Sequence, residues 1–128
     1  MRKALFLATS LFIILSFTKR LDVFDDISLA MKAGNARELS QYLSSRIELK
    51  IEDEEDSYSR TQAQQLINEF FTKNNPTNFS IIHKGESTNG SKYAIGNLQT
   101  KNGKFRTYFF LKKSGDDYFI QELRFERD

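Results

Sequence analysis

The fold is decided by residues 77–128, TNFSIIHKGESTNGSKYAIGNLQTKNGKFRTYFFLKKSGDDYFIQELRFERD. Runs of aromatic and β-branched residues in this stretch are typical of strands, and glycine-containing turns interrupt them at three points. The turns are Asn89-Gly90, Asn102-Gly103 and Gly115-Asp116, and the first two are strong signals for two-residue hairpin loops. The pattern therefore predicts an antiparallel meander of four strands.

Two-residue turns also fix which residues face each other, because pairs can be counted outward from each turn. This register places Ile81 beside Leu98 and Leu111 beside Ile120. It predicts one sheet face that packs on a long helix, formed by Phe79, Ile81, Leu98, Phe105, Phe109, Leu111 and Ile120. One row of that face would run through His83, Gly96, Phe109 and Glu122.

The opposite face of the predicted sheet is also rich in aromatic and aliphatic side chains. Its candidate interface residues are Tyr108, Phe110, Phe119, Leu123 and Phe125. A monomer rarely leaves that much apolar surface in water. We therefore expect a homodimer that forms through this outer face, with partial cover by the N-terminal helices as the alternative.

The chain before the meander predicts a helical hairpin and a short strand. Apolar spacing over Asp22–Lys32 predicts a helix that stops at Gly34, and Asn35 can cap a second short helix. Residues Ile47–Ile51 alternate apolar and charged, which predicts a short edge strand. The acidic run Glu52–Asp56 is interpreted as a solvated loop, because so many like charges favour water.

The long helix is predicted from its cap and its apolar stripe. Ser59 and Gln62 form a capping-box pattern, and the helix should end before Pro76. The apolar stripe consists of Ala63, Leu66, Ile67, Phe70 and Phe71. The fold class is therefore α+β, with a helical hairpin and one long helix packed on a curved four-stranded antiparallel meander that carries a short extra edge strand.

The first residues have the pattern of an export signal. Arg2 and Lys3 precede an apolar run from Ala4 to Phe17, which is shorter than the roughly 20 residues of a membrane-spanning helix. Residues 1–18 are predicted to be a signal peptide and residues 19–128 a single domain. We expect a periplasmic or secreted protein with no stable membrane span after cleavage, and a retained membrane anchor is the alternative.

Composition excludes several classes of function. Removal of residues 1–18 leaves 17 basic side chains against 17 acidic ones, so the balance does not favour nucleic-acid binding. The chain has no cysteine, which excludes disulfides, thiol chemistry and cysteine-type zinc sites. His83 is the only histidine and lacks a second ligand at metal-binding spacing, so we expect neither a metal nor another cofactor.

Several segments resemble those of a known family. They are Tyr58-Ser59, Gln62-Ala63-Gln64, Phe70-Phe71, Phe79–His83, Ser91–Gly96, Phe105–Tyr108 and Leu123–Glu126. The chain from Asp22 to Glu126 resembles a small family of exported bacterial proteins described only as a domain of unknown function. That family is similar to the nuclear transport factor 2-like branch of cystatin-like folds. The resemblance implies the fold and a cell-envelope location, but no activity.

The predicted functional site is a pocket between the long helix and the sheet. Its expected lining residues are Leu66, Phe70, His83, Phe109 and Glu122. His83 and Glu122 would lie about 14 Å apart across the sheet, so they could flank a substrate without touching each other. A histidine hydrogen-bonded in the core, or partly exposed at the rim, is the non-catalytic interpretation.

These features predict a non-catalytic binding module of the bacterial cell envelope, which engages a small apolar ligand or a protein. The alternative is a small isomerase or dehydratase that uses His83 and Glu122.

Overall fold

A computed structural model describes residues 22–128 of the chain, and the predicted signal peptide lies outside the described residues. The elements in chain order are α1 (Val23–Ala33), α2 (Ala36–Ser40), β1 (Leu43–Ile51), β2 (Glu54–Ser59), α3 (Arg60–Lys73), β3 (Pro76–Glu86), β4 (Lys92–Thr100), β5 (Gly103–Ser114) and β6 (Asp117–Arg127).

The strands form one sheet of six, in the order β2-β1-β6-β5-β4-β3. The predicted meander is present as β3 to β6, but the sheet is larger than four strands and is mixed, because β1 pairs in parallel with β6. The fold is α+β as predicted, whereas the prediction of a four-stranded antiparallel sheet is wrong. Pairing between β1 and β6 joins residues more than seventy positions apart, which no local pattern in the sequence reports.

Of the predicted acidic loop, Glu52 and Asp53 form a turn, whereas Glu54–Asp56 belong to a strand. Residues Glu54–Ser59 form β2, the edge strand, which pairs antiparallel with β1. Glu52 has a φ of 55°, and the chain reverses at Glu52 and Asp53. Charged side chains are common on edge strands because like charges discourage pairing with another copy of the same strand. The predicted edge strand, β1, therefore lies inside the sheet.

The helices lie where the sequence predicts them, and side-chain caps mark their starts. The Asp22 side chain caps α1, which ends at Gly34 with a φ of 63°, and the Asn35 side chain caps α2. Ser59 and Gln62 form the reciprocal capping box of α3. Each cap satisfies backbone N–H groups that have no partner within the helix, and this fixes where the helix starts.

The helices cover one side of the sheet, which is called the inner face here, and the other side is called the outer face. Phe70 of α3 packs on Phe105 and Phe125, with ring centroids 4.9 and 4.7 Å apart, respectively. Phe24 of α1 lies 6.1 Å from Phe109, ring centroid to centroid. Aromatic rings from both layers thus fill the space between the helices and the sheet.

The turns set a register that differs partly from the predicted one. The last turn is as predicted, since Ser114 pairs with Asp117 and Leu111 with Ile120. The turn at Lys101 and Asn102 pairs Thr100 with Gly103, a shift of two residues that leaves each side chain on its predicted face.

The first turn is longer than predicted. The last ladder pair before it is Glu86 with Lys92, and the Ser87 N–H donates to the Ser91 carbonyl at 2.8 Å. Asn89 accepts hydrogen bonds from the backbone N–H and the hydroxyl of Ser91, which holds the loop. The two-residue loop predicted at Asn89-Gly90 is therefore wrong.

Two β-bulges then decide which side chains face the helices. Ile82 in β3 and Gln121 in β6 have no partner residue, and each extra residue reverses the face of what lies beyond it. Leu123 and Phe125 consequently lie on the inner face with no exposed surface. Burial of these two apolar side chains favours the bulge at Gln121 over a regular ladder.

Candidate functional site

The five residues of the predicted pocket do not meet in one place. Leu66 and Phe70 lie on α3, and Phe109 is fully buried beneath α1. His83 and Glu122 lie on the outer face, because His83 pairs with Ile95 and Glu122 with Phe110. Their predicted position on the inner face is wrong: the longer first turn changes the face of His83, and the bulge at Gln121 changes the face of Glu122.

His83 is an exposed residue of the edge strand β3. Its Nε2 is hydrogen-bonded to the Tyr93 hydroxyl at 2.9 Å, and the two rings are 5.6 Å apart. Gly85 lies beneath the same tyrosine, since a Cβ atom at this position would come within 2.5 Å of Tyr93 Cε1. The strand thus accommodates the Tyr93 ring, and this ring holds His83.

The Glu122 carboxylate is engaged by an arginine. Arg124 Nε donates to Glu122 Oε1 at 2.6 Å, and Arg124 also lies 3.6 Å from Glu55. Its hydrogen bond to Glu122 raises the pKa of Arg124, and burial followed by the charge of Glu122 raises the pKa of Tyr108. The Glu122 carboxylate therefore already has a side-chain partner on its own strand.

A contiguous apolar stripe lies on the outer face of β4, β5 and β6. This stripe, called the outer patch, consists of Tyr93, Ile95, Tyr108, Phe110 and Phe119. All five are partly exposed. Cross-strand pairing joins Tyr93 to Phe110 and Ile95 to Tyr108, so the stripe continues from β4 to β5, while Phe119 of β6 pairs with Lys112 and lies diagonal to Phe110.

Charged residues border the outer patch. A shallow depression of about 410 Å³ is lined by Ile95, Arg106, Tyr108, Glu122, Arg124 and Glu126. Both signs of charge are therefore present beside the apolar side chains. Three of the predicted interface residues, Tyr108, Phe110 and Phe119, belong to the outer patch. The predicted outer position of Leu123 and Phe125 is wrong, because both side chains are buried.

A second depression lies between α3 and the β1–β2 hairpin, and is called the α3 cleft. It has a volume of about 370 Å³, and its lining residues are Leu49, Ile51, Glu52, Asp53, Glu54, Tyr58, Leu66, Glu69, Phe70, Lys73 and Asn74. Leu66 and Phe70 of the predicted pocket line it. The sequence predicts a solvated loop at Glu52–Asp56, so it does not indicate that carboxylates of this segment form one side of the α3 cleft.

Residues 22–128 hold no group of three or more histidine, aspartate or glutamate side chains that could bind a metal ion. Among the helices described, none has the length and apolar character required to cross a membrane.

The chain is similar to the members of a known protein family. The model of the family DUF4783, a domain of unknown function, matches residues 24–126. No curated protein matches the chain. A DUF4783 family protein from Bacteroides ovatus ATCC 8483 is 33% identical, with a TM-score of 0.77 over 80% of this chain and 93% of that one. Another, from Bacteroides fragilis YCH46, is 30% identical, with a TM-score of 0.78 over 84% of this chain and 99% of that one.

A more distant neighbour identifies the wider fold. An NTF2-like protein of unknown function from Shewanella baltica OS155 is 12% identical, with a TM-score of 0.64 over 82% of this chain and 87% of that one. At this identity the likeness concerns the fold alone. The predicted resemblance to a domain of unknown function with a nuclear transport factor 2-like fold is confirmed: the chain belongs to the DUF4783 family.

Proposed function

We propose that this domain is a non-catalytic protein-binding module of the bacterial cell envelope, and that it associates with a second copy of itself through the outer face of its sheet. The observation that carries the proposal is the outer patch. Tyr93, Ile95, Tyr108, Phe110 and Phe119 form one apolar stripe on the side of the sheet that the helices leave uncovered.

The size of the outer face suits a stable dimer. The six strands lie about 4.8 Å apart, and all but β2 are nine to twelve residues long, so the face measures about 24 by 33 Å, or roughly 800 Å². Stable interfaces bury about 800 Å² on each partner. Tyrosine and phenylalanine at the centre with arginine nearby is the composition that such interfaces favour.

Charge around the outer patch supports association between identical copies. In a two-fold dimer the same surface is used twice, so it must be complementary to itself. The depression beside Tyr108 carries Arg106 and Arg124 together with Glu122 and Glu126. A face that bears both signs can oppose cations to carboxylates after a two-fold rotation, whereas a face of one sign repels its copy.

Packing on the inner face favours a protein partner over a small apolar ligand held there. Phe24, Phe70, Phe105, Phe109 and Phe125 occupy the space between helices and sheet, and each is at most 6% exposed. A ligand within this layer would have to displace close-packed rings. The outer patch requires no such displacement.

The isomerase or dehydratase alternative has weaker support. Its two candidate residues lie on β3 and β6, which are separated by β4 and β5 in the sheet. Glu122 is paired with Arg124, and His83 is hydrogen-bonded to Tyr93. An acid–base pair needs two groups that reach the same substrate atoms, and these two are committed to different neighbours.

Light scattering on residues 22–128 tests the proposal, since this segment contains the described core. We expect a dimer at micromolar concentration, and we expect Tyr108→Lys to shift it to monomer by placing a charge inside the interface. Leu29→Lys is the matched control, because Leu29 is 56% exposed on α1. A monomeric parent protein, or equal effects of the two substitutions, would refute the assignment.

A further inference from the structure

The α3 cleft offers an accessible apolar floor on the side of the molecule opposite the outer patch. Leu49 and Phe70 form its buried base, at 1% and 5% exposure. Ile51, Tyr58 and Leu66 are partly exposed and pack against the core below them. An apolar side chain that entered the cleft would contact aromatic and aliphatic surface, and this burial favours binding.

Carboxylates surround this floor. Within residues 22–128, Asp53, Glu54 and Glu69 have no ion-pair partner, while Glu52 is paired with Arg127 at 3.2 Å. Lys73 is the one cation among the lining residues. The rim is therefore strongly negative, and a cationic group beside the cleft would be attracted while an anionic one would be repelled.

The backbone at the cleft can add an interaction of its own. β2 is the outermost strand on this side and pairs only with β1, so its second edge has backbone N–H and C=O groups free for another strand. An extended peptide can pair with such an edge and direct alternate side chains toward the adjacent pocket. Glu54, Glu55 and Asp56 on this edge favour a peptide of opposite charge.

We propose that the α3 cleft binds a basic, extended peptide segment that presents apolar residues and lysine or arginine on the same face. The apolar residues contact Tyr58, Leu66 and Phe70, and the cations face Glu54 and Glu69. This site is independent of the outer patch, so a dimer has two such clefts facing outward and can hold two segments of a partner protein.

The test uses the amidated hexapeptide Lys-Lys-Leu-Leu-Lys-Lys, in which each face of the extended chain carries both leucine and lysine, titrated into ¹⁵N-labelled residues 22–128 and followed by NMR. We expect shifts of the amides of β2 and of α3 around Leu66 and Glu69. The affinity should fall as salt increases, since exposed ion pairs are screened. Shifts confined to other surfaces, or no shifts at about millimolar peptide, a concentration at which even weak complexes form, would overturn the proposal.

Control peptides separate charge from apolar contact. A leucine–glutamate hexapeptide should not bind, and a lysine–serine hexapeptide should bind clearly more weakly than the leucine–lysine one. If the lysine–serine peptide bound equally well, the apolar floor would have no role and the proposal would fail. If the leucine–glutamate peptide bound as well as the leucine–lysine one, the charged rim would have no role and the proposal would also fail.

A pair of matched double variants completes the experiment. Glu54→Gln with Glu69→Gln should weaken binding of the leucine–lysine peptide about three- to tenfold at low salt, as expected for two exposed ion pairs. Asp116→Asn with Asp117→Asn removes the same charge from the distant β5–β6 turn and should leave binding unchanged. Equal weakening by both pairs would show attraction to net charge alone, and would overturn the site.

Discussion

Phe125→Ala is the perturbation that most sharply separates the observed sheet from a regular one. With the bulge at Gln121, Phe125 is fully buried; its ring centroid lies 4.7 Å from that of Phe70, on which it stacks, and 6.0 Å from that of Phe71, which it meets edge to face. Loss of a buried phenylalanine costs about 3–5 kcal/mol through lost transfer energy and the cavity that remains. Without the bulge, Phe125 would lie on the outer face and its removal would cost far less.

Urea unfolding followed by circular dichroism measures this loss. With a denaturant slope of about 1.5 kcal/mol per molar urea, a loss of about 4 kcal/mol lowers the midpoint by about 2.7 M. Phe119→Ala is the control, because Phe119 is a partly exposed phenylalanine of the same strand, and its removal should cost about 1 kcal/mol.

Equal losses of stability in the two alanine variants would contradict a buried position of Phe125. A loss of less than about 1.5 kcal/mol in Phe125→Ala would do the same, because it lies well below the range for a buried aromatic residue. If Phe125→Ala is too unstable to purify, Phe125→Leu replaces it. That substitution should still destabilise the domain more than Phe119→Leu.

Three further changes test local features. Gly85→Ala should cost about 1–3 kcal/mol because its Cβ would meet the Tyr93 ring, and a double-mutant cycle with Tyr93→Ala should remove that cost. Thr107→Val should raise the free energy of unfolding by about 1 kcal/mol, because the Thr107 hydroxyl is buried without a hydrogen-bond partner in the described residues; no gain in urea midpoint would contradict this. Burial, then Glu122, raises the pKa of Tyr108 above 10.0, so its neutral form contributes stability that is present below pH 10 and lost as pH rises through the raised pKa. The free energy of unfolding of Tyr108→Phe should therefore fall less than that of the parent when the pH is raised from about 9 to about 11. Equal losses in the two proteins would contradict this prediction.

Local signals in the sequence were enough to predict the helices, the order of most elements and the family. The caps at Asp22, Asn35 and Ser59 act on neighbouring backbone groups, so their effect is visible within four residues of chain. The turn at Gly115 is equally local and gave the correct pairing around it. These features depend on interactions between near neighbours, and the printed sequence contains them.

The faces of β3 and β6 could not be predicted in the same way. A bulge adds one unpaired residue, and neither Ile82 nor Gln121 has a side chain that marks it as such. Counting from a two-residue first turn places His83 with the helices, and counting past Gln121 without a bulge places Glu122 there and Leu123 outside. A regular alternation along β6 that buries Ile120 exposes Leu123 and Phe125. Only a change of face at Gln121 buries all three apolar side chains, which favours the observed strand.

The strand β2 was missed because its stability comes from its partner. Glu54–Asp56 has low intrinsic strand preference, and pairing with Lys50 and Leu49 of β1 supplies the ladder. The same strand forms one side of the α3 cleft, so the error concealed the site proposed for a basic peptide. Tertiary pairing outweighed local charge here.

Cross-saturation NMR on a mixture of deuterated, ¹⁵N-labelled protein and unlabelled protonated protein tests the proposed dimer most directly, because it reports which amides lie beside the other copy. We predict saturation transfer to the amides of β4, β5 and β6 around Ile95, Tyr108 and Phe110. Transfer confined to α1 or α3, or no transfer at concentrations near a millimolar, would contradict an outer-face dimer.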